Sequence, residues 1–289
     1  MPLTTTVEGV WALQALLGIE SMPTALRLKP FIPSVHQDLV VETTAGPVPL
    51  QQTAEYLSLA HAGVIDDRGR VDDVVRDWMT VIGRADRQVM LVVRRPDGEL
   101  TNADGSRTPT VHERVLVVCR HKRWMAMIAR DGHEMVIDAV GESDDPATQM
   151  ALMSQPILAA FGDAPPADID GINIPAELLQ TTMERCAGHG RQAVIAAMGR
   201  LGLQPAQAEI VAAAARPDES AMAVVSVIDH GISYTVHDRV LTVADTEYGR
   251  VSLSTTASAD GKKWMSIWPT HRDALQTDLA DLLATPRAA

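Results

Sequence analysis

Two histidine–carboxylate dipeptides, His112-Glu113 and His237-Asp238, stand at matching places in the chain and are its most direct candidates for acid–base chemistry. Both lie in apolar runs of strand character. Neighbouring residues on a strand point to opposite faces, so neither pair can work as a unit. Polar positions at strand entrances are the better reading. His133-Glu134 lacks the second histidine that a zinc-protease helix requires. Gly188-His189-Gly190, with Ala193, imitates a dinucleotide fingerprint, but that motif follows a strand and here a helix precedes it. The spacing predicts a helix that stops at Gly188 and restarts near Gly190. Cys186 and His189 could form a thiol–imidazole dyad, yet nothing nearby supplies an orienting third group. Asp66-Asp67, Asp72-Asp73, Asp144-Asp145 and the Asp168/Asp170 pair read as turn residues and helix N-terminal charges, without the spacing of a calcium loop. A Gly-rich phosphate loop and a GxSxG elbow are both missing. Binding is therefore expected rather than catalysis, with no cofactor and no metal. The alternatives are a small-molecule enzyme using the His/carboxylate pairs and a self-associating structural module.

Composition narrows the classes further. The 289 residues carry a net charge of -12, which argues against a general nucleic-acid binder and a polybasic membrane anchor and points to solubility or to attraction to a basic partner surface. Aromatics make up 3%, so the core must be built from Val, Leu, Ile, Met and Ala. With only Cys119 and Cys186 there is no disulfide framework, and a reduced cytoplasm is expected. The N-terminus lacks a basic leader region, and no apolar run is long enough to span a membrane.

The elements that must position these residues come in two copies. Thr110–Val118 reads TVHERVLVV and Thr235–Val243 reads TVHDRVLTV, identical at seven of nine positions and 125 residues apart. Such a period is too long for a solenoid and implies two related halves. Helices are expected from Thr6 to Gly18, from Pro49 to Gly63 and from Val71 to Ile82, the last with Val74, Val75, Trp78 and Met79 inward. A loop containing Pro23, Pro30 and Pro33 separates the first two. Strands follow at 88–94, 111–120, 123–129 and 134–140, with a long polar connection from Pro96 to Thr108, and then a helix over 145–161. The second half repeats the order: helices at 176–186, 192–201 and 206–215, strands at 222–228, 234–244, 249–254 and 263–268, and a last helix from Thr270. The fold class is α+β: a quasi-two-fold duplicated unit with a central antiparallel sheet flanked by two helical groups. The chain reads as a single domain over 1–289, with halves 1–162 and 175–289 joined by a linker over 163–174.

Strand alternation sorts the repeat into faces. His, Arg, Leu and Val form one face, identical in both copies, whereas both mismatches fall on the other, where Glu113 becomes Asp238 and Val117 becomes Thr242. The shared face suits packing on equivalent helices, and the divergent face is free to specialise. On the neighbouring strand, Met222, Val224 and Ile228 form a bulky side and Ala221, Ala223, Val225 and Val227 a smaller one. A face of small apolar residues and Thr, left uncovered, is a docking surface.

Several segments resemble the EspG family of mycobacterial ESX (type VII) secretion chaperones. The resemblance covers nearly the whole chain. It rests on TTTVEGVWALQALLG with Trp11, on Val74 to Trp78, on LTVADTEYGRVSLS with Asp245-Thr246 and Gly249-Arg250-Val251, and on DGKKWMSIWP before a leucine-rich helix. It implies a cytosolic protein that binds PE–PPE heterodimers through the apolar tip of the PPE subunit, with no nucleic acid, membrane insertion or cofactor; a weak homodimer is a separate expectation. The family's partner surface lies on the second-half sheet and C-terminal helical group. Carried over by position it indicates Ala223 and Thr242, and alternation adds Val225, Val227, Val240 and Ala244. The 96–108 connection is a second expected contact.

Overall fold

The computed structural model describes residues 1–29, 39–43, 46–216, 218–231 and 234–284; Pro30 and Pro33 of the proline-containing loop lie outside them. Twelve strands and eight α-helices are found among the described residues: β1 (Leu3–Thr6), α1 (Val7–Leu17), β2 (Val40–Thr43), β3 (Gly46–Pro49), α2 (Ala54–His61), α3 (Asp73–Gly83), β4 (Arg87–Thr101), β5 (Arg107–His121), β6 (Trp124–Asp131), β7 (Glu134–Glu142), α4 (Pro146–Phe161), β8 (Ile172–Pro175), α5 (Ala176–Cys186), α6 (Gly190–Arg200), α7 (Pro205–Ala214), β9 (Ala221–His230), β10 (Tyr234–Thr246), β11 (Gly249–Ala257), β12 (Lys263–Pro269) and α8 (Arg272–Leu283). No helix among the described residues is long and apolar enough to cross a membrane.

Ten strands form one sheet in the order β1-β7-β6-β5-β4-β9-β10-β11-β12-β8, while β2 and β3 form a separate ribbon. The order is its own mirror image once each strand is replaced by its repeat counterpart, which is the duplication expressed as topology. Register repeats as well. Val117 pairs with Ile128, Ile128 with Ile137 and Ile137 with Leu3. In the other half Thr242 pairs with Leu253, Leu253 with Ile267 and Ile267 with Ile172. Each row runs across four strands on one face, since directly paired residues share a face.

Contact clustering gives two compact units whose bounds differ from those of the sequence halves. The first comprises the described residues of Met1–Met90, Arg114–Pro156 and Ile228–Thr235; the second those of Leu91–Glu113, Ile157–Val227 and from Val236 onward. In the first, α1 and α3 pack on β7, and α3 also on β6. In the second, α5, α6 and α7 cover Ile172, Ala244, Val251 and Ile267 with Val194, Met198, Ala208, Ile210, Val211, Ala212 and Ala214.

Local chemistry explains the helix ends. Thr6 accepts the Gly9 amide and Gly18 closes α1 at φ 64. Asp72 accepts the amides of Val74 and Val75, and Asp145 that of Thr148, so these aspartates are the helix N-terminal groups their positions suggest. Gly249 has φ 113, and a Cβ there would lie 2.7 Å from the backbone of Pro166 and Ala167, so only glycine fits this close approach.

The structure corrects four expectations. The connection between β4 and β5 is short, because the strands continue to Thr101 and from Arg107; Asn102 folds the turn by donating to Ser106 and Thr108. The segment read as a linker contains most of β8, the counterpart of β1; both are too short, at 4 residues, to show a period. Val74, expected inward, is 53% exposed. Trp78, also expected inward, is only half-buried.

Candidate partner-binding face

The candidate face begins with β10. Alternation puts Val240, Thr242 and Ala244 on one side, the side that carries the α5–α7 layer. Ala244 is fully buried in that layer, Thr242 is half-buried, and Val240 is 39% exposed. The helical cover therefore runs out along this strand. Beyond it the same side continues through Val236 and Tyr234, both exposed, with only Asp238 as a charged interruption. Leu253, paired with Thr242, and Met265 are half-buried and form the margin of the helix-covered core. The result is a strip of Tyr234, Val236, Val240 and Thr242 bordered by Leu253.

The other three expected residues lie elsewhere. Ala223, Val225 and Val227 are buried. Ala223 borders a small gap with Phe161, Val243 and Asp245, residues associated with the opposite side of β10. The six residues thus do not make one uncovered face: Val240 and Thr242 are accessible, Ala244 supports them from beneath the helices, and Ala223, Val225 and Val227 pack inward. Ala223 meets the end of α4 at Ala160 and Phe161, and Val225 and Val227, which alternation puts on the same side, are fully buried. By alternation, half-buried Met222 and Val224 take the side that Ala223 leaves. Met222, Val224, Tyr234, Val236 and Leu253 were the residues missed. The alternation of Tyr234 and Val236 with Val240 was the available signal; the β9–β10 register was not.

The side of β10 opposite the strip is anchored by a buried cation. Arg250, 2% exposed, makes a two-point pair with Asp245, Nε to Oδ1 at 2.6 Å and Nη2 to Oδ2 at 2.9 Å. It also donates to the carbonyls of Phe161 at 2.8 Å and Gly162 at 3.0 Å. This clamp ties the β10–β11 hairpin to the end of α4. Asp278 of α8 faces Ser252 and Arg239, and burial pushes its carboxyl above the ordinary carboxylate range, with Asp281 adding to the rise.

The candidate catalytic groups are not assembled into a site. His237 is buried, His112 is half-buried, and the Glu113 carboxylate accepts from Arg94 at 3.0 Å. Gly188 and Gly190, at φ 79 and 76, separate the end of α5 from the start of α6, as a helix stop and restart should. His189 Nδ1 lies 3.1 Å from the Ala187 carbonyl and Cys186 contacts the Ala193 carbonyl, so the two do not meet as a dyad. No cluster of three metal-ligating side chains occurs among the described residues.

Comparison with known proteins agrees with this architecture. The model described as the EspG family matches residues 6–281. The ESX-2 secretion-associated protein EspG2 of Mycobacterium tuberculosis is 28% identical over 276 residues, covering 93% of this chain and 90% of that protein. The ESX-5 secretion-associated protein EspG5 of Mycobacterium marinum is 25% identical over 98% of this chain and 93% of its own length. Among solved structures, the Mycobacterium tuberculosis type VII secretion chaperone EspG5, determined in complex with a PE25–PPE41 dimer, superposes with a TM-score of 0.73 at 23% identity, covering 100% of this chain and 98% of that one.

Proposed function

This chain belongs to the EspG family, and from that premise we propose that it is a cytosolic secretion chaperone that binds a PE–PPE heterodimer through the PPE subunit and keeps the pair soluble for export by an ESX system. The observation that carries the reading is the strip on β10, apolar yet left open beside the C-terminal helices. Exposed Tyr234, Val236 and Val240 need a cover, and an apolar PPE tip needs the same. Docking removes both surfaces from water at roughly 25 cal/mol per Å2, before the costs of association. The activity is stoichiometric binding, with Thr242 and Val240 at the centre, Ala244 fixing the strand under the helices, and Ala223, Val225 and Val227 holding β9 in place.

Co-expression with candidate PE–PPE pairs, followed by size exclusion, tests the function: a cognate pair should co-elute with the chaperone. Thr242→Arg tests the site. It sets a long cation into the open strip and should weaken client binding by about 2 kcal/mol or more, with thermal unfolding little changed. Unchanged affinity would remove Thr242 from the interface.

A further inference from the structure

We infer that the groove between α3 and strands β6 and β7 is a second docking surface, one that takes a basic amphipathic segment of another protein. The groove has a volume of about 540 Å3, and its walls include Val74 and Trp78 from α3 and Trp124 and Met125 from β6. Three observations converge on it. Two of the chain's five tryptophans line it, although aromatics make up only 3% of the sequence. Tryptophan is the residue most suited to anchoring an interface, because it offers a large apolar area with few rotatable bonds. Next, Val74 and Trp124 are 53% and 50% exposed at the groove. Val74 follows two aspartates at the start of an amphipathic helix, where the outward face is otherwise polar. The lining also carries two carboxylates, Asp77 and Glu142, and no lysine or arginine. Arg123 stands outside the lining, where its guanidinium lies 5.3 Å from the centre of the Trp124 ring and 3.3 Å from Glu142. That arrangement already shows the chemistry an incoming lysine or arginine would use.

Charge and exposure together select the occupant. Carboxylates beside an apolar floor, in a chain of net charge -12, favour a partner with apolar side chains flanked by cations. A small ligand would be mostly enclosed by its pocket; here the indole and the valine project into solvent, and a longer segment is needed to cover them. The groove belongs to the first compact unit, whereas Val236, Val240 and Thr242 of the β10 strip belong to the second.

The test uses the full chain and three labelled synthetic peptides: a helix-forming peptide with leucine at i, i+3, i+4 and i+7 and lysine on its polar face, its glutamate counterpart, and a scrambled lysine peptide. Fluorescence anisotropy should show the ordered lysine peptide binding at least about tenfold more tightly than the other two. Trp124→Ala and Val74→Lys should each reduce its affinity by about tenfold, the first by removing the aromatic anchor and the second by setting a cation against the peptide's lysines. Both sites are exposed, and circular dichroism on each variant establishes that the fold is kept; Val74→Lys decides the matter if Trp124→Ala does not fold. Equal binding of the lysine and glutamate peptides, or lysine-peptide affinity indifferent to both substitutions, would overturn the inference. Full displacement of the peptide by benzyltrimethylammonium would reassign the groove to a small cation and overturn it equally.

Discussion

Arg250 shows how much one side chain can determine. A guanidinium with 2% of its surface exposed is tolerable only if its donors are matched, and here they meet both oxygens of Asp245 and two main-chain carbonyls. Truncation leaves the carbonyls of Phe161 and Gly162 without that donor and removes the charge facing Asp245. Arg250→Ala is therefore expected to cost about 3 kcal/mol, measured as a shift in the urea midpoint. Arg250→Lys should recover little of it, because an ammonium cannot match a planar two-point pair. A loss below about 0.5 kcal/mol, within the range of a surface substitution, would show that the clamp does not hold the hairpin. The residue stood out in the sequence only as part of Gly249-Arg250-Val251. Its role was hidden because its carbonyl partners lie 88 and 89 residues away.

Elements were the most legible level. α5, expected over 176–186, spans Ala176–Cys186, and the four strands of each half fall where the Val-, Ile- and Met-rich runs placed them. The misses have physical causes. β1 and β8 are short edge strands defined by pairing, Leu3 with Ile137 and Ile172 with Ile267, rather than by any pattern of their own. The 96–108 segment looked like a loop because it is polar, but a hairpin exposed on both faces can stay polar and still pair. The last helix, α8, carries a prediction that belongs to packing. Its Leu275, Leu279, Leu282 and Leu283 are buried, and this draws Asp278 partly out of water. A carboxyl whose folded pKa is raised binds its proton more readily in the folded state. Stability therefore falls as pH rises from the ordinary carboxylate range through the raised value, and stays lower above it. Asp278→Asn should raise the melting temperature at pH 7, with the gain shrinking toward zero in acid below the ordinary value. A variant with the same advantage at both pH values would place the effect outside this titration.

At the scale of the whole molecule, duplication supplies symmetry, and unequal coverage is where the copies part. Val117 and Thr242 occupy the same place in the repeat and in the register, at the heads of the rows that run to Leu3 and Ile172. Val117 is fully buried, whereas Thr242 is half-buried with exposed Val240 and Val236 on its strand. The sequence showed that the two copies differ on this face; it could not show that one copy is covered and the other open, because coverage depends on where helices lie rather than on the strand itself. It also could not show that Ala223, Val225 and Val227 turn inward, since strand alternation defines two sides without saying which is packed. The comparison makes a paired prediction. Val117→Arg puts an unpartnered cation into a dry core, at a cost of several kcal/mol, and should leave little folded protein, read as loss of a cooperative thermal transition. Thr242→Arg, the same change at the equivalent site, should keep that transition, because its guanidinium can reach water. If both variants unfolded, Thr242 would be a core position and the strip on β10 could not be the partner surface; if neither did, the coverage that distinguishes the two halves would be absent.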